Sequence, residues 1–218
     1  MIWDQYFNNS LKSQTRSRRG KGIRRRVEAS SSLPGNWQEF LRIDANKIEL
    51  FAFLVKHISR MVITKQIVTT SGSEVLCIPP QDTSGLAPCD HEEADTRIIV
   101  HMADAVNKGY KKILIRTVDT EVVVLAVAAA VKVDSEELWI AFGTAKNFRH
   151  IPAHEIARSL GPRKSIALPM FHAYTGCDMV SSFGTKGKKT AWTTWINYDD
   201  VTPTFIALSA GPAHNNKR

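Results

Sequence analysis

At 218 residues, with 43% hydrophobic and 8% aromatic side chains, the chain can bury one substantial core, and disorder throughout is excluded. Its longest uninterrupted apolar run, Val122 to Val131, has ten residues against the roughly 20 that span a bilayer, so no membrane partner is expected. The net charge of +8 is unevenly placed: residues 1–30 carry Lys12, Arg16, Arg18, Arg19, Lys21, Arg24, Arg25 and Arg26 against Asp4 and Glu28, a local balance of +6.

Such a run attracts polyanions by counterion release, and nucleic acid is the commonest of them inside cells. A solvated helix face or a nuclear-localisation patch would carry the same charge. Met-Ile-Trp-Asp-Gln-Tyr lacks the profile of a secretory signal, and Cys77, Cys89 and Cys177 cannot all pair within one chain. These features together lead us to expect an intracellular setting, nuclear ahead of cytoplasmic.

In chain order, Ser30-Ser31-Ser32 to Pro34-Gly35 reads as a loop. Trp37, Phe40 and Leu41, then Ile48, Phe51, Leu54, Val55 and Ile58, recur at helical spacing and predict one or two amphipathic helices. Met61 to Thr69 and Glu74 to Ile78 predict strands about a Ser71-Gly72 turn, closed by Pro79-Pro80. Glu92 to Asn107 reads as a helix with Ile98, Ile99, Met102 and Val106 inward, ended by Gly109. Ile113 to Ile115 and Leu138 to Phe142 read as strands either side of the buried segment Val122 to Val131. His154 to Leu160 reads as a helix stopped by Gly161-Pro162, and Val201 to Arg218 as a poorly patterned tail. Strands alternating with helices predict an α/β fold with a parallel sheet.

In such sheets, sites gather beyond the carboxyl ends of the strands. Asp119 and Glu121 follow the strand that ends at Arg116; Glu92, Glu93 and Asp95 open a helix on the same edge; Asp178 lies in Thr175-Gly176-Cys177-Asp178. Converging carboxylates are made tolerable by hard divalent cations such as Mg²⁺ or Mn²⁺, and paired ions can drive phosphodiester cleavage. The same residues also suit structural roles: Asp90 to Glu93 has the form of a capping box, and Asp119 can cap the segment that follows it.

Four segments, in order, resemble the flap-endonuclease-like (XPG-type) 5′ nucleases of the PIN-like superfamily. Ile2-Trp3-Asp4 with the basic run after it resembles that family's Phe-Asp strand and Lys/Arg-rich helix; Glu93-Ala94-Asp95 resembles its Glu-Ala-Glu signature. Val118-Asp119-Thr120-Glu121 resembles its strand-end Asp-x-Asp pair. Thr175-Gly176-Cys177-Asp178 resembles its Gly-Cys-Asp motif, and Ser181 to Ala191 the hairpin of a helix-hairpin-helix. The chain is also similar to uncharacterised, often transposon-associated eukaryotic proteins that carry His-Glu-Glu-Ala-Asp-Thr-Arg and Phe-His-Ala-x-Thr-Gly-Cys-Asp, matched here by His91 to Arg97 and Phe171 to Asp178.

The resemblance implies a parallel-sheet PIN-like domain over residues 1–178, N-terminally incomplete, with a basic helical segment at 11–27. A helix-hairpin-helix remnant at 179–197 and a tail at 198–218 complete it. It implies metal ligation by Asp4, Glu93, Asp95, Asp119, Glu121 and Asp178, with Asp95, Asp119 and Asp178 catalytic and Mg²⁺ or Mn²⁺ as cofactor. Nucleic acid, DNA ahead of RNA, would be gripped by Lys12, Arg16, Arg19, Arg24, Arg25 and Arg26 and by Lys186, Lys188 and Lys189.

The sequence departs from that family in three ways: Glu121 stands where the second strand-end Asp is expected, the strand with the first catalytic Asp has no counterpart, and two residues rather than one separate Gly184 from Gly187. The expectation is therefore a structure-specific nuclease-like protein that cleaves poorly in this form, or a non-catalytic nucleic-acid or protein interaction module on the same fold.

Other chemistry is thin. His150 and His154 have Pro152 between them and no His-Glu-x-x-His glutamate, and Cys77, Cys89 and His91 lack the closely spaced Cys pairs of a zinc site. Trp192 and Trp195, three apart, read as helix packing rather than as a base-stacking surface.

Overall fold

The computed structural model describes residues 1–7, 10, 22–89, 91–177, 184 and 187–209. The chain packs as two compact units, Met1–Arg97 and Ile98–Arg218.

The first unit contains helices α1 (Trp37–Leu41) and α2 (Asp44–Ile58) and a hairpin of β1 (Ile67–Ser71) and β2 (Glu74–Ile78). Asn36 starts α1 by accepting the Glu39 N–H at 3.2 Å, the capping bond that an Asn at this position supplies. The hairpin pairs Ser71 with Glu74 and Ile67 with Ile78, so its two-residue turn is Gly72-Ser73, with Gly72 at φ +59°. The first strand begins at Ile67, not at Met61 as the apolar pattern predicts. Its partner strand ends at Ile78, and Pro79 has no N–H with which to extend the ladder.

Ile2-Trp3-Asp4 does not form a strand of the main sheet, a correction to the resemblance. Met1–Phe7 instead runs as irregular chain fastened beside the hairpin. The Thr70 N–H donates to the Met1 carbonyl at 3.1 Å, the Trp3 N–H to Thr70 Oγ1 at 2.8 Å, and the Trp3 indole to Thr69 Oγ1 at 3.1 Å. Trp3 also stacks on Phe51 of α2 at 4.6 Å.

Helix α3 (Ala94–Asn107) begins in the first unit and continues through the second. It starts two residues later than its pattern suggests. Its other end is a Schellman motif: Gly109, at φ +93°, donates to the Val106 carbonyl at 2.9 Å, and Tyr110 to the Ala105 carbonyl at 3.1 Å.

In the second unit β3 (Lys112–Thr117), α4 (Thr120–Ala130) and β4 (Glu137–Phe142) form a βαβ unit whose strands pair in parallel, Lys112 with Glu137 through Thr117 with Phe142. The buried segment around Val122 is thus the crossover helix. The sheet is mixed rather than wholly parallel. Its third strand, β5 (Arg149–Pro152), pairs antiparallel with β4 because residues 143–148 leave no room for a crossover. Gly143, at φ +84°, makes that tight return; a Cβ there would lie 2.5 Å from the Asn147 carbonyl oxygen.

Val122, Leu138 and Ile140 have no exposed surface, and Ala126, Ala153 and Ala157 let α4 approach α5 (Ala153–Tyr174). The sequence break at Gly161-Pro162 is real but only a kink. Gly161 takes φ +75°, and helix resumes from Pro162, a residue suited to a first helical position. Helix α6 (Lys188–Asn197), a short 3₁₀ turn (Asp199–Val201) and α7 (Thr202–Ser209) follow. Residues 201–209, expected as tail, are therefore helical. Phe205 anchors them in a second cluster in which Trp195, 2% exposed, stacks on Phe171 at 4.6 Å. Packing is indeed the use of Trp195, and Trp192 meets Phe171 edge-on at 5.6 Å.

Candidate metal centre

The turn after β3 places Asp119 immediately before α4, where its backbone is extended and its Oδ1 accepts the Glu121 N–H at 2.8 Å. That capping bond satisfies one of the donors left open at a helix start and holds the carboxylate at the strand's carboxyl end. Glu121 lies in the first turn of α4, and Asp95 in the first turn of α3. One carboxylate oxygen from each of Asp95, Asp119 and Glu121 lies within 4.8 Å of the other two.

Oxygen-only donors at this spacing fit a hard divalent ion. Opposite ligands of Mg²⁺ stand about 4.2 Å apart, twice its ~2.1 Å bond, so small rotamer adjustments bring the three oxygens into range. Like charges this close repel, and a cation between them converts repulsion into ligation. Glu121, the departure from the Asp-x-Asp pattern, reaches the group with its longer side chain.

The other expected ligands are placed differently. Asp4 serves the first unit: its Oδ1 accepts the Ala94 N–H at the start of α3 at 2.8 Å, and its Oδ2 accepts the Tyr6 hydroxyl at 3.2 Å. It is thus a capping group supplied from ninety residues away, and neither it nor Glu93 belongs to the cluster. The capping box anticipated at Asp90 rests on a residue outside those described, as does Asp178. Among the described residues no other trio of His, Cys, Asp and Glu gathers, so Cys77, Cys89 and His91 form no zinc site.

The basic residues divide likewise. Lys12, Arg16, Arg19 and Lys186 lie outside the described residues. Arg24 to Arg26 are irregular chain rather than helix, because the segment is bonded to α2: Asn46, fully buried, accepts the Arg24 guanidinium and the Arg25 N–H, both at 3.0 Å. Its amide nitrogen donates to the Ile23 and Phe40 carbonyls at 2.8 and 2.9 Å. Arg24 also pairs with Glu49, and this hydrogen bond holds the Glu49 carboxyl below its usual pKa. Lys188 donates to the His172 carbonyl at 2.8 Å and to Thr175 Oγ1 at 2.9 Å, closing the end of α5, and burial lowers its pKa. Arg24, Arg25, Arg26, Lys188 and Lys189 are all exposed, but Arg24 and Lys188 are engaged in these structural bonds.

Sequence reasoning missed Asn46, an unremarkable residue in an amphipathic pattern. Its position N-terminal in α2, opposite no charge in the sequence, offers no signal for the four-partner role its side chain takes with Ile23, Arg24, Arg25 and Phe40. Among the described residues no helix is long and apolar enough to cross a membrane. Neither a protein-family model, nor a curated protein, nor a solved structure matches this chain.

Proposed function

We propose that this chain is a divalent-ion-dependent, nuclease-like domain that binds nucleic acid, DNA ahead of RNA, and acts on its phosphodiester bonds. The observation that carries the reading is the convergence of Asp95, Asp119 and Glu121 from the starts of two helices on one 4.8 Å neighbourhood. With Mg²⁺ or Mn²⁺ held there, the ion supplies water activation and charge stabilisation for phosphodiester hydrolysis. The protein's part is to fix the ligands: Asp119 by its capping bond, Glu121 and Asp95 by their places in first helical turns. Exposed Arg25, Arg26 and Lys189, with the basic residues before them, supply phosphate contacts without reading sequence.

A non-catalytic binding module is the second reading. It is favoured by a specific observation: Asp4, Arg24 and Lys188, three expected site residues, are spent on holding the fold.

The test compares wild type with Asp119→Asn on flap, duplex and single-stranded substrates in Mg²⁺ and Mn²⁺. The nuclease reading expects metal-dependent cleavage that the variant loses. Binding without cleavage in either protein selects the module. Absence of salt-dependent binding to any substrate overturns both.

A further inference from the structure

Helices α3, α4 and α5 all meet the mixed sheet on one face: Met102, Val122, Val127 and Ala157 pack in a single cluster with Ile115, Leu138 and Ile140. Side chains alternate along a strand, so Lys112, Leu114 and Arg116 of β3, Trp139 of β4 and His150 of β5 stand on the other face. That face is open. Leu114 is 61% exposed, and Phe148, which leads into β5, is 46% exposed and meets the His150 ring edge-on at 5.1 Å. Strands paired in parallel ordinarily have both faces covered, so an open one calls for an occupant.

The chemistry of the open face is cationic and aromatic together. Arg116 donates to the carbonyls of Thr117, Ala141 and Gly143 at 2.6, 3.0 and 2.6 Å and lies over the Phe148 ring at 5.5 Å, so its guanidinium is held in place by groups that leave its charge unneutralised. These three bonds leave part of its five-donor fork for an anion. Lys112 pairs at 2.6 Å with Glu137, the one carboxylate that the three strands place on this face, and Glu137 also accepts the Trp139 indole N–H at 2.8 Å.

We propose that this face binds a single strand of nucleic acid, its unpaired bases stacked on Phe148, His150 and Trp139 and its phosphates met by Arg116 and Lys112. Exposed aromatic rings on a sheet stack bases, and cations beside them track the backbone. A second copy of the chain would bring the same cations together, and a neutral apolar partner would leave Arg116 without an anion. The proposal rests on the nucleic-acid reading above and names a single strand as its substrate class. Strand β3 runs from Lys112 toward the turn that carries Asp119, so a strand laid along it is led to that carboxylate.

The test is anisotropy titration of labelled oligo(dT), oligo(U) and an abasic strand of equal length with the full chain in EDTA, so that no metal-dependent cleavage intervenes. The tighter of the first two assigns the strand as DNA or RNA, and it is expected to exceed the abasic strand at least about tenfold in affinity. Phe148→Ala is expected to remove about tenfold from the base-bearing strand and nothing from the abasic one, while Phe148→Tyr keeps both. Arg116→Gln is expected to lower the slope of log affinity against log salt by about 0.7, one phosphate contact on a single strand. Should Phe148→Ala melt below wild type, Phe148→Leu, apolar but unable to stack, takes its place. Equal affinity for base-bearing and abasic strands, or wild-type binding by the Phe148 variant, overturns the stacking face; if that binding is salt-dependent, the nucleic-acid reading stands without it. Failure of every strand to bind overturns both. A dimer that Phe148→Ala dissociates, with no strand bound, would give the face to a second copy and overturn the proposal.

Discussion

In the second unit the side chains with the least exposed surface are mostly apolar, Leu138, Ile140, Val122 and Val127 beside Ser165 and Thr202, whereas in the first unit they are Asn46, Thr69, Thr70 and Arg97, all polar. The second unit follows the usual course of burying branched apolar residues between a sheet and two helices, with the hydrophobic effect as its main support. The first unit spends its deepest positions on polar side chains that bond to other segments: Asn46 to the segment from Ile23 to Arg25, Thr69 to the Trp3 indole, Thr70 to the Trp3 N–H, and Arg97, through one of its nitrogens, to the Gly72 carbonyl at 2.9 Å. Such bonds add little each but are expensive to leave half-made, so they fix one path for irregular chain without a continuous apolar core.

The strongest way to break this contrast is Leu138→Ala. A fully buried leucine truncated in a close-packed cluster is expected to cost about 3 kcal/mol, read as a lowered urea midpoint, with loss of protection across β3, α4 and β4. A cost near zero would mean that the second unit is not held by its apolar cluster.

Asn46→Ala is the corresponding cut in the first unit. It strands the Arg25 N–H and two carbonyls, and about 2 kcal/mol is expected. Hydrogen exchange should accelerate around Ile23 to Val27 while Ile115 and Ile140 stay protected. Uniform acceleration would show that the units do not differ in the way described.

These two residues also mark what could be read from sequence. Leu138 sits in an apolar strand pattern that any periodicity argument finds, and α3, β3, β4 and the Gly161 break were visible for the same reason. Asn46 was invisible, since its importance lies in partners 22 and 6 residues away that no pattern announces. Strand β5 was missed because Arg149-His150-Ile151-Pro152 has neither apolar alternation nor length, and its pairing is imposed by the tight return at Gly143. Helices α7 and the second half of α5 were missed because Pro162, Pro169 and Pro203 obscure the period. Of the site, Asp95, Asp119 and Glu121 were legible through their places at element starts. The capping use of Asp4 was not, because it depends on a fold in which residue 4 meets residue 94.

A smaller effect separates the two roles of Asp119. Asp119→Ala should destabilise by about 1 kcal/mol through loss of the α4 cap, whereas Asp119→Asn, which caps about as well, should leave the melting temperature nearly unchanged. Equal destabilisation by both would mean that the charge, not the cap, supports the helix start.

The smallest expected effect is on pH. Glu49 has a folded pKa below its usual value because Arg24 donates to it, so its contribution is fully present above the ordinary carboxylate range and is lost as pH falls through the depressed folded value. Exchange at Val27, whose N–H donates to Glu49 at 3.1 Å, should rise on acidification below about pH 4.5 after correction for intrinsic rates, and Glu49→Gln should remove that dependence. Persistence of the acid response in the variant would assign it to another group.

The central claim is that Asp95, Asp119 and Glu121 hold a divalent ion, and Mn²⁺ binding followed by electron paramagnetic resonance tests it most directly. Wild type is expected to take up Mn²⁺ saturably, with Mg²⁺ competing, and folded Asp119→Asn is expected to lose at least tenfold in affinity. Mn²⁺ that stays free in wild type, or binds equally to the variant, would contradict the account.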